Sequence, residues 1–434
     1  MKRWQELKFS REEWLALAAI GLFILLFFKP VVSGDGFGYY VILEGAVRDG
    51  TLNLSNQLPY NEVAGGEEVF WVEKTERYAS QYAPGLPLLS VPAYAASLAL
   101  DDFGLFHVQD EFFLKERGDI LIHQASMAVT SLVLAILAFT VSLLLCREMG
   151  LKQGGVALAL AFFGSPMVRY ASYDLTYTHA AEAGILALAL YVFWKGRPAW
   201  QSGALLGLMT LVRFTSAFFF LPFLAYYAWK KDWQGVKGMV LGGVPFALLL
   251  MAYFSVQFGS PFSTGYTSNP GFDAKNFTFL PLFLDRVLFS LEGNPPGLLW
   301  WTPLVLLSFA GLWLLKDDRK WVLLGIVLMM FYATASFFEG TTGFSFSNRY
   351  FAALFPITAM GVAVLLEKGR EWGKAAWVFG AYGFLLFLFV FPIDWGHFAG
   401  YGEVLSYWLV QGHLLQLPGA LFEKLGFIRL LLLK

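Results

Sequence analysis

A carboxylate set between glycines, an acid–histidine–acid run and two isolated arginines are the residues here whose type and spacing could do chemistry. Asp35 lies in Ser33-Gly34-Asp35-Gly36-Phe37-Gly38-Tyr39-Tyr40. The flanking glycines let the backbone turn sharply, so the carboxylate is either a poised acid or base or an ordinary Asp-Gly turn. Asp174, His179 and Glu182 fall within one short stretch, and His179 and Glu182 share a helix face if that stretch is helical. They read as a capping group with a surface ion pair, or as a charged cluster in a wet cavity. A histidine among carboxylates is also able to hold a divalent ion, although this spacing fits no specific zinc pattern. Arg213, in Leu211-Val212-Arg213-Phe214-Thr215, separates two short apolar runs. Arg349, in Phe346-Ser347-Asn348-Arg349-Tyr350-Phe351, opens another. Each arginine either snorkels to lipid headgroups or clamps an anion, because guanidinium meets phosphate in a bidentate fashion. Tyr266, in Gly265-Tyr266, either stacks on a sugar ring or anchors at a membrane interface.

The elements that must position these groups are apolar. Of 434 residues, 57% are hydrophobic and only 15% charged, against about 25% charged in a soluble domain. Aromatics make up 18%, with 44 Phe and 15 Trp. A bilayer demands this, since each span takes roughly 20 mostly apolar residues. The first run, Trp14 to Val32, follows a basic segment holding Lys2, Arg3, Lys8 and Arg11. It is too long for a signal-peptide core and no A-x-A site follows, so it is read as a retained span. Further runs lie at 119–146, 154–168, 179–194, 201–212, 214–229, 236–257, 297–315, 320–338, 350–366 and 374–393. The expected fold is an all-α polytopic membrane protein of about 11 transmembrane helices, one membrane domain over 1–434. The runs 154–168, 201–212 and 214–229 are short for a core about 30 Å thick. They are expected to be broken or half-spanning helices that line a cavity.

Basic clusters at 2–11, 147–152, 195–197, 230–237, 316–320 and 368–374 fall on one side if each run crosses once. By the positive-inside rule that side is the cytoplasm, and so is the N-terminus. The long connections are then extracytoplasmic. Residues 34–118 form a large first loop, with Glu62, Glu67, Glu68, Glu73 and Glu76 in its middle and an apolar, Pro-punctuated stretch at 85–100 that should lie in the interface. Residues 258–296 form a second loop and 339–349 a third, while the tail 395–434 is read as interfacial, with Lys424, Arg429 and Lys434 at headgroup level. A net charge of −1 and the lack of a dense basic patch exclude a nucleic-acid partner. The single cysteine, Cys146, allows no internal disulfide. No Walker A, G-x-S-x-G or H-E-x-x-H sequence is present, which argues against ATP-driven transport.

The order of these pieces resembles the GT-C class of membrane glycosyltransferases, which includes the protein O-mannosyltransferases and the lipid A aminoarabinose transferases. An acid follows span one (Asp35, with Tyr39-Tyr40). Then come Asp49-Gly50, Leu52-Asn53-Leu54-Ser55-Asn56, Tyr82-Ala83-Pro84-Gly85 and Thr178-His179-Ala180. Arg213, Gly259-Ser260-Pro261 with Thr264-Gly265-Tyr266, Trp301-Thr302-Pro303 and Asn348-Arg349-Tyr350-Phe351 complete the series. The resemblance implies a polyprenyl-phosphate-linked sugar donor drawn from the membrane lipid, with transfer on the extracytoplasmic face of the cell membrane. It assigns catalysis to Asp35, Asp174 and His179, and donor phosphate to Arg213 and Arg349. It places Tyr40, Tyr82, Glu182 and Tyr266 along the substrate. Gly36 stands where the O-mannosyltransferases carry the second acid of an Asp-Glu pair, so the acceptor stays open between glycan, lipid and protein. No cofactor is required on this reading, and a divalent metal is compatible with it. The competing classes are a transporter or lipid flippase without covalent chemistry and a noncatalytic assembly subunit. Transporters usually carry midplane charges and internal repeats. Here the charges gather at helix ends and no repeat is found.

Overall fold

In the computed structural model the described residues are 9–64, 68–101, 103, 120–269, 280–292, 296–336, 345–393 and 401–425. Lys2, Arg3, Lys8, Glu67, Arg429 and Lys434, and parts of all three long connections, lie outside them. The architecture is helical, with one antiparallel two-stranded hairpin pairing Phe70–Val72 (β1) with Arg77–Ala79 (β2) among the described residues.

Each apolar run becomes a helix. Among the described residues four are long and apolar enough to cross a membrane: Leu121–Glu148, Trp233–Phe258, Arg349–Lys368 and Arg370–Val390. The short runs stay short. Gly154–Phe163 has 10 residues, a rise of about 15 Å, and Gly164 ends it. Ala199–Val212 has 14 residues and stops at Arg213. The next run is a 3-10 segment, Phe214–Phe219, that passes into Phe220–Trp229. The stretch at 85–100 is a 17-residue helix, Gly85–Asp101. On Trp233–Phe258 the side chains of Leu241, Val244 and Leu248 stand exposed in a row of apolar surface.

The chain forms two compact units. The first comprises 1–28, 136–173 and 279–434. Its helix Arg11–Phe27 begins with a capping box, in which Ser10 and Glu13 satisfy each other's backbone N–H. The Glu13 carboxylate also takes the Arg147 guanidinium, with Nε 2.8 Å from Oε1. Phe23 packs edge-on against Phe162, Phe163, Phe384 and Phe387. Arg349 belongs to this unit, in the 3-10 turn Arg349–Leu354 that opens the helix Phe355–Lys368. Its guanidinium lies 5.9 Å from the Tyr350 ring.

The second unit comprises 29–135 and 174–278. Label its helices α1 (Gly36–Val47), α2 (Gly85–Asp101), α3 (His179–Trp194), α4 (Ala199–Val212), α5 (Phe220–Trp229) and α6 (Trp233–Phe258). α4 and α6 run parallel in backbone contact. A Cβ on Gly203 would strike the Met239 carbonyl, and one on Gly242 the Trp200 carbonyl. Gly207 meets Gly243 one turn further on. Small residues let helices pack this closely in an apolar medium. The end of α6 then holds the loops: Gln257 Nε2 donates to the Leu52 carbonyl, the Thr75 hydroxyl donates to the Gln257 carbonyl, and the Tyr253 hydroxyl donates to the Tyr82 carbonyl at 3.4 Å.

Candidate active site

Loops and helix ends of the second unit meet at Asp35. The chain turns through Gly34, whose φ of 50° suits glycine, and Asp35 then caps α1 without a side-chain bond to the helix. The turn is pressed against 176–177: a Cβ on Gly34 would overlap the Tyr177 hydroxyl, and one on Gly36 the Thr176 hydroxyl. One turn into α1, Gly38 leaves room for the Tyr82 ring, with Glu68 Oε2 2.7 Å from where its Cβ would stand. The Ser80 hydroxyl donates to the Gly38 carbonyl at 2.8 Å, which fixes the segment carrying Tyr82. Tyr266 closes the same wall. Its ring centroid lies 6.3 Å from that of Tyr82 and 5.8 Å from that of Phe214, while Asn269 donates to the Gln81 amide oxygen.

Arg213 reaches the group from the break between α4 and the 3-10 segment, where its backbone is extended. Its Nη1 is 3.5 Å from Glu182 Oε2 and 3.3 Å from His179 Nδ1. Glu182 Oε1 accepts from the Ser216 hydroxyl at 2.7 Å. His179 Nδ1 lies 3.6 Å from Glu182 Oε2, and both side chains are 2% exposed. The two share a face because they are three apart at the start of α3. The Tyr177 ring lies nearly parallel to the imidazole at 6.3 Å.

Tyr39 joins the two halves. It follows Asp35 by four residues, so it lies on the same helix face. Burial pushes its phenol far above the ordinary tyrosine value; the Arg213 guanidinium opposes the shift, and the Asp35 and Glu182 carboxylates add to it. Its hydroxyl also bonds Thr178, and its ring lies 4.5 Å from the Tyr82 ring. Burial likewise raises Tyr82, and Asp35 and Glu68 push the same way. Both phenols stay protonated at neutral pH, as an ordinary tyrosine does.

The structure brings together Asp35, Tyr82, His179, Glu182, Arg213 and Tyr266 of the residues expected from sequence. Asp174 is buried two residues before Thr176, in the segment packed on the Asp35 turn, where its carbonyl accepts from the Tyr177 N–H. Tyr40 is elsewhere. It is fully buried with its ring against Tyr60 and Tyr94, on a different side of α1. Neighbours on a helix point about 100° apart, so Tyr39 and Tyr40 cannot both face Asp35. Glu182 is enclosed by Arg213, His179 and Ser216. Arg349 belongs to the other unit. Sequence reasoning missed Tyr39, Glu68 and Ser216 as site residues. Only Tyr39 left a signal, its four-residue spacing from Asp35. Among the described residues no three or more His, Cys, Asp or Glu side chains are placed to share a metal ion.

Beside this group lies an apolar cavity of about 290 Å³ between α1, α2 and α6, lined by Leu43, Leu52, Pro87, Val91, Leu249 and Val256 among others. Pro84, two residues past Tyr82, is part of its wall, as is Tyr253, whose hydroxyl holds the Tyr82 carbonyl.

No family model matches the sequence, and no curated protein matches it either. Among solved structures the chain is similar to ArnT from Cupriavidus metallidurans in the apo state, a GT-C lipid A aminoarabinose transferase. The TM-score is 0.52 at 15% sequence identity, over 95% of this chain and 70% of that one. The chain is thus a multi-pass, predominantly α-helical membrane protein whose fold is similar to that of ArnT.

Proposed function

We propose that this chain transfers a sugar from a polyprenyl-phosphate-linked donor to an acceptor hydroxyl on the extracytoplasmic face of the cell membrane. The observation that supports the reading is that the Asp35 turn packs on Thr176 and Tyr177, in the segment that leads into His179, which lies 3.3 Å from Arg213. On this reading an acid and a cation serve one reacting centre. A glycosyl phosphate is already activated, so the enzyme must do two things. Asp35, as general base, takes the proton from the acceptor hydroxyl. That oxygen forms its bond to the anomeric carbon as the bond to the phosphate oxygen breaks. The electron pair leaves with the phosphate, and Arg213 stabilises its growing charge. Tyr82 and Tyr266 flank the sugar, and Asp174 is an accessory acid. The apolar cavity beside Tyr82 and Pro84 gives a lipid tail a place next to the reacting headgroup. The orientation follows from the basic clusters, which put the N-terminus in the cytoplasm. No metal enters this sequence of events, because the guanidinium meets the leaving phosphate.

The test uses the purified full chain in lipid nanodiscs with a panel of polyprenyl-phosphate monosaccharides, following release of polyprenyl phosphate. Asp35→Asn is expected to lose transfer by about 100-fold or more. Full activity in a folded Asp35→Asn protein would show the central assignment to be wrong.

A further inference from the structure

We infer that His179 serves as a neutral hydrogen-bond donor through Nε2, with its tautomer fixed by Arg213, and that it is not a general base. Nδ1 lies 3.3 Å from Arg213 Nη1. A guanidinium keeps its protons at any ordinary pH and has only donors to offer. The ring nitrogen facing it must therefore present a lone pair. A neutral imidazole whose Nδ1 accepts carries its proton on Nε2.

The other protonation states fit worse. A proton on Nδ1 would set two donors face to face at 3.3 Å. The carboxylate beside Nδ1, Glu182 Oε2, is 3.6 Å away, beyond a good N–H···O bond. An imidazolium would add a second positive charge beside Arg213 in a site where the histidine is 2% exposed.

The arrangement forms a chain. The Ser216 hydroxyl holds Glu182 Oε1, Glu182 Oε2 faces the Arg213 guanidinium, and that guanidinium meets His179 Nδ1. Ser216 and Glu182 are thus positioning residues that act through Arg213. Glu182 does not bind substrate on this assignment. His179 cannot accept a proton from an acceptor hydroxyl at either nitrogen without giving up the Arg213 contact. That leaves the base role to a carboxylate. The oxygen that Nε2–H serves, of phosphate or of sugar, rests on the glycosyl-transfer reading; the tautomer does not.

Two measurements decide it. The full chain, labelled with 15N-histidine and held in nanodiscs at neutral pH, is examined by NMR. The His179 signals are identified by their absence in His179→Gln. An unprotonated Nδ1 with a protonated Nε2 is expected, and Arg213→Met should turn this into a tautomer mixture. A protonated Nδ1 in the unmutated protein, alone or with Nε2, overturns the inference. The second measurement is transfer. The amide of Gln reaches where Nε2 was and that of Asn where Nδ1 was. His179→Gln should keep transfer within about tenfold, while His179→Asn should lose about 100-fold, the size of a positioned proton-handling or hydrogen-bonding group. Equal, complete loss in both variants, with each folded, contradicts the donor role. An Nε2–H tautomer in a protein that transfers no sugar supports the tautomer and sinks only the glycosyl-transfer reading.

Discussion

Each compact unit contains a glutamate–arginine pair drawn from distant parts of the chain, and the two pairs are built differently. In the first, Glu13 takes Arg147 Nε at 2.8 Å and the Ser10 N–H at 2.6 Å, and the guanidinium also covers the Phe9 ring at 4.9 Å. The carboxylate is occupied by short bonds that close a helix start. In the second, the short bond of Glu182 goes to Ser216, while Arg213 stands back at 3.5 Å. Its neighbours include a histidine and a phenol that also feels Asp35. A saturated pair fastens two elements. On the proposed function, a loosely held pair keeps a guanidinium compensated until the donor phosphate meets it. Charge type alone does not separate the two cases; the length and number of the bonds do.

Substitutions can break or sharpen that contrast. The largest effect is expected at Arg213. Arg213→Gln should lower transfer by about 10² to 10³-fold, the cost of removing a preorganised charge from the leaving group. Arg147→Gln should leave transfer per folded molecule unchanged and cost roughly 2 kcal/mol of stability, as for a hydrogen bond to a charged group. Thermal unfolding and polyprenyl phosphate release, measured on both variants, read the two outcomes. Equal losses of transfer would erase the distinction. A middle effect is expected at Gly38. An added methyl would overlap the Tyr82 ring, so Gly38→Ala should reduce transfer about tenfold through a misplaced wall. If the ring is the cause, adding Gly38→Ala to a Tyr82→Ala protein should change transfer far less than adding it to the unmutated chain. The smallest is Ser10→Ala, which should cost about 1 kcal/mol through the lost cap and leave transfer unaffected.

Much of this was legible from sequence. The apolar runs became helices because lipid-scale burial needs long uninterrupted apolar stretches, and composition records that directly. The short runs at 154–168 and 201–212 ended at Gly164 and Arg213, where a flexible or charged residue interrupts them. Asp35 and Arg213 were readable as a charge where apolar sequence stops. Other features depended on tertiary structure. Ser216 matters only because α3 brings Glu182 to it, and Glu68 only because Gly38 leaves a gap beside Tyr82. Tyr39 and Tyr40 are identical in type and adjacent, so their different environments are a matter of helix phase. The four-residue spacing puts Tyr39 on the Asp35 face, and the Tyr60 and Tyr94 rings receive Tyr40 on another side.

The glycine contact between α4 and α6 has a consequence for how such a protein can diversify. Met239 and Trp200 carbonyls sit where side chains would have to grow, so no gradual series of substitutions leads to a wider spacing. Arg213 at the end of one helix and the Tyr253 anchor near the end of the other inherit a fixed separation. On the proposed function, a lineage adapting to a new sugar or acceptor would vary the segments around Glu68, Tyr82 and Tyr266, and leave the distance between its charge and its anchor alone.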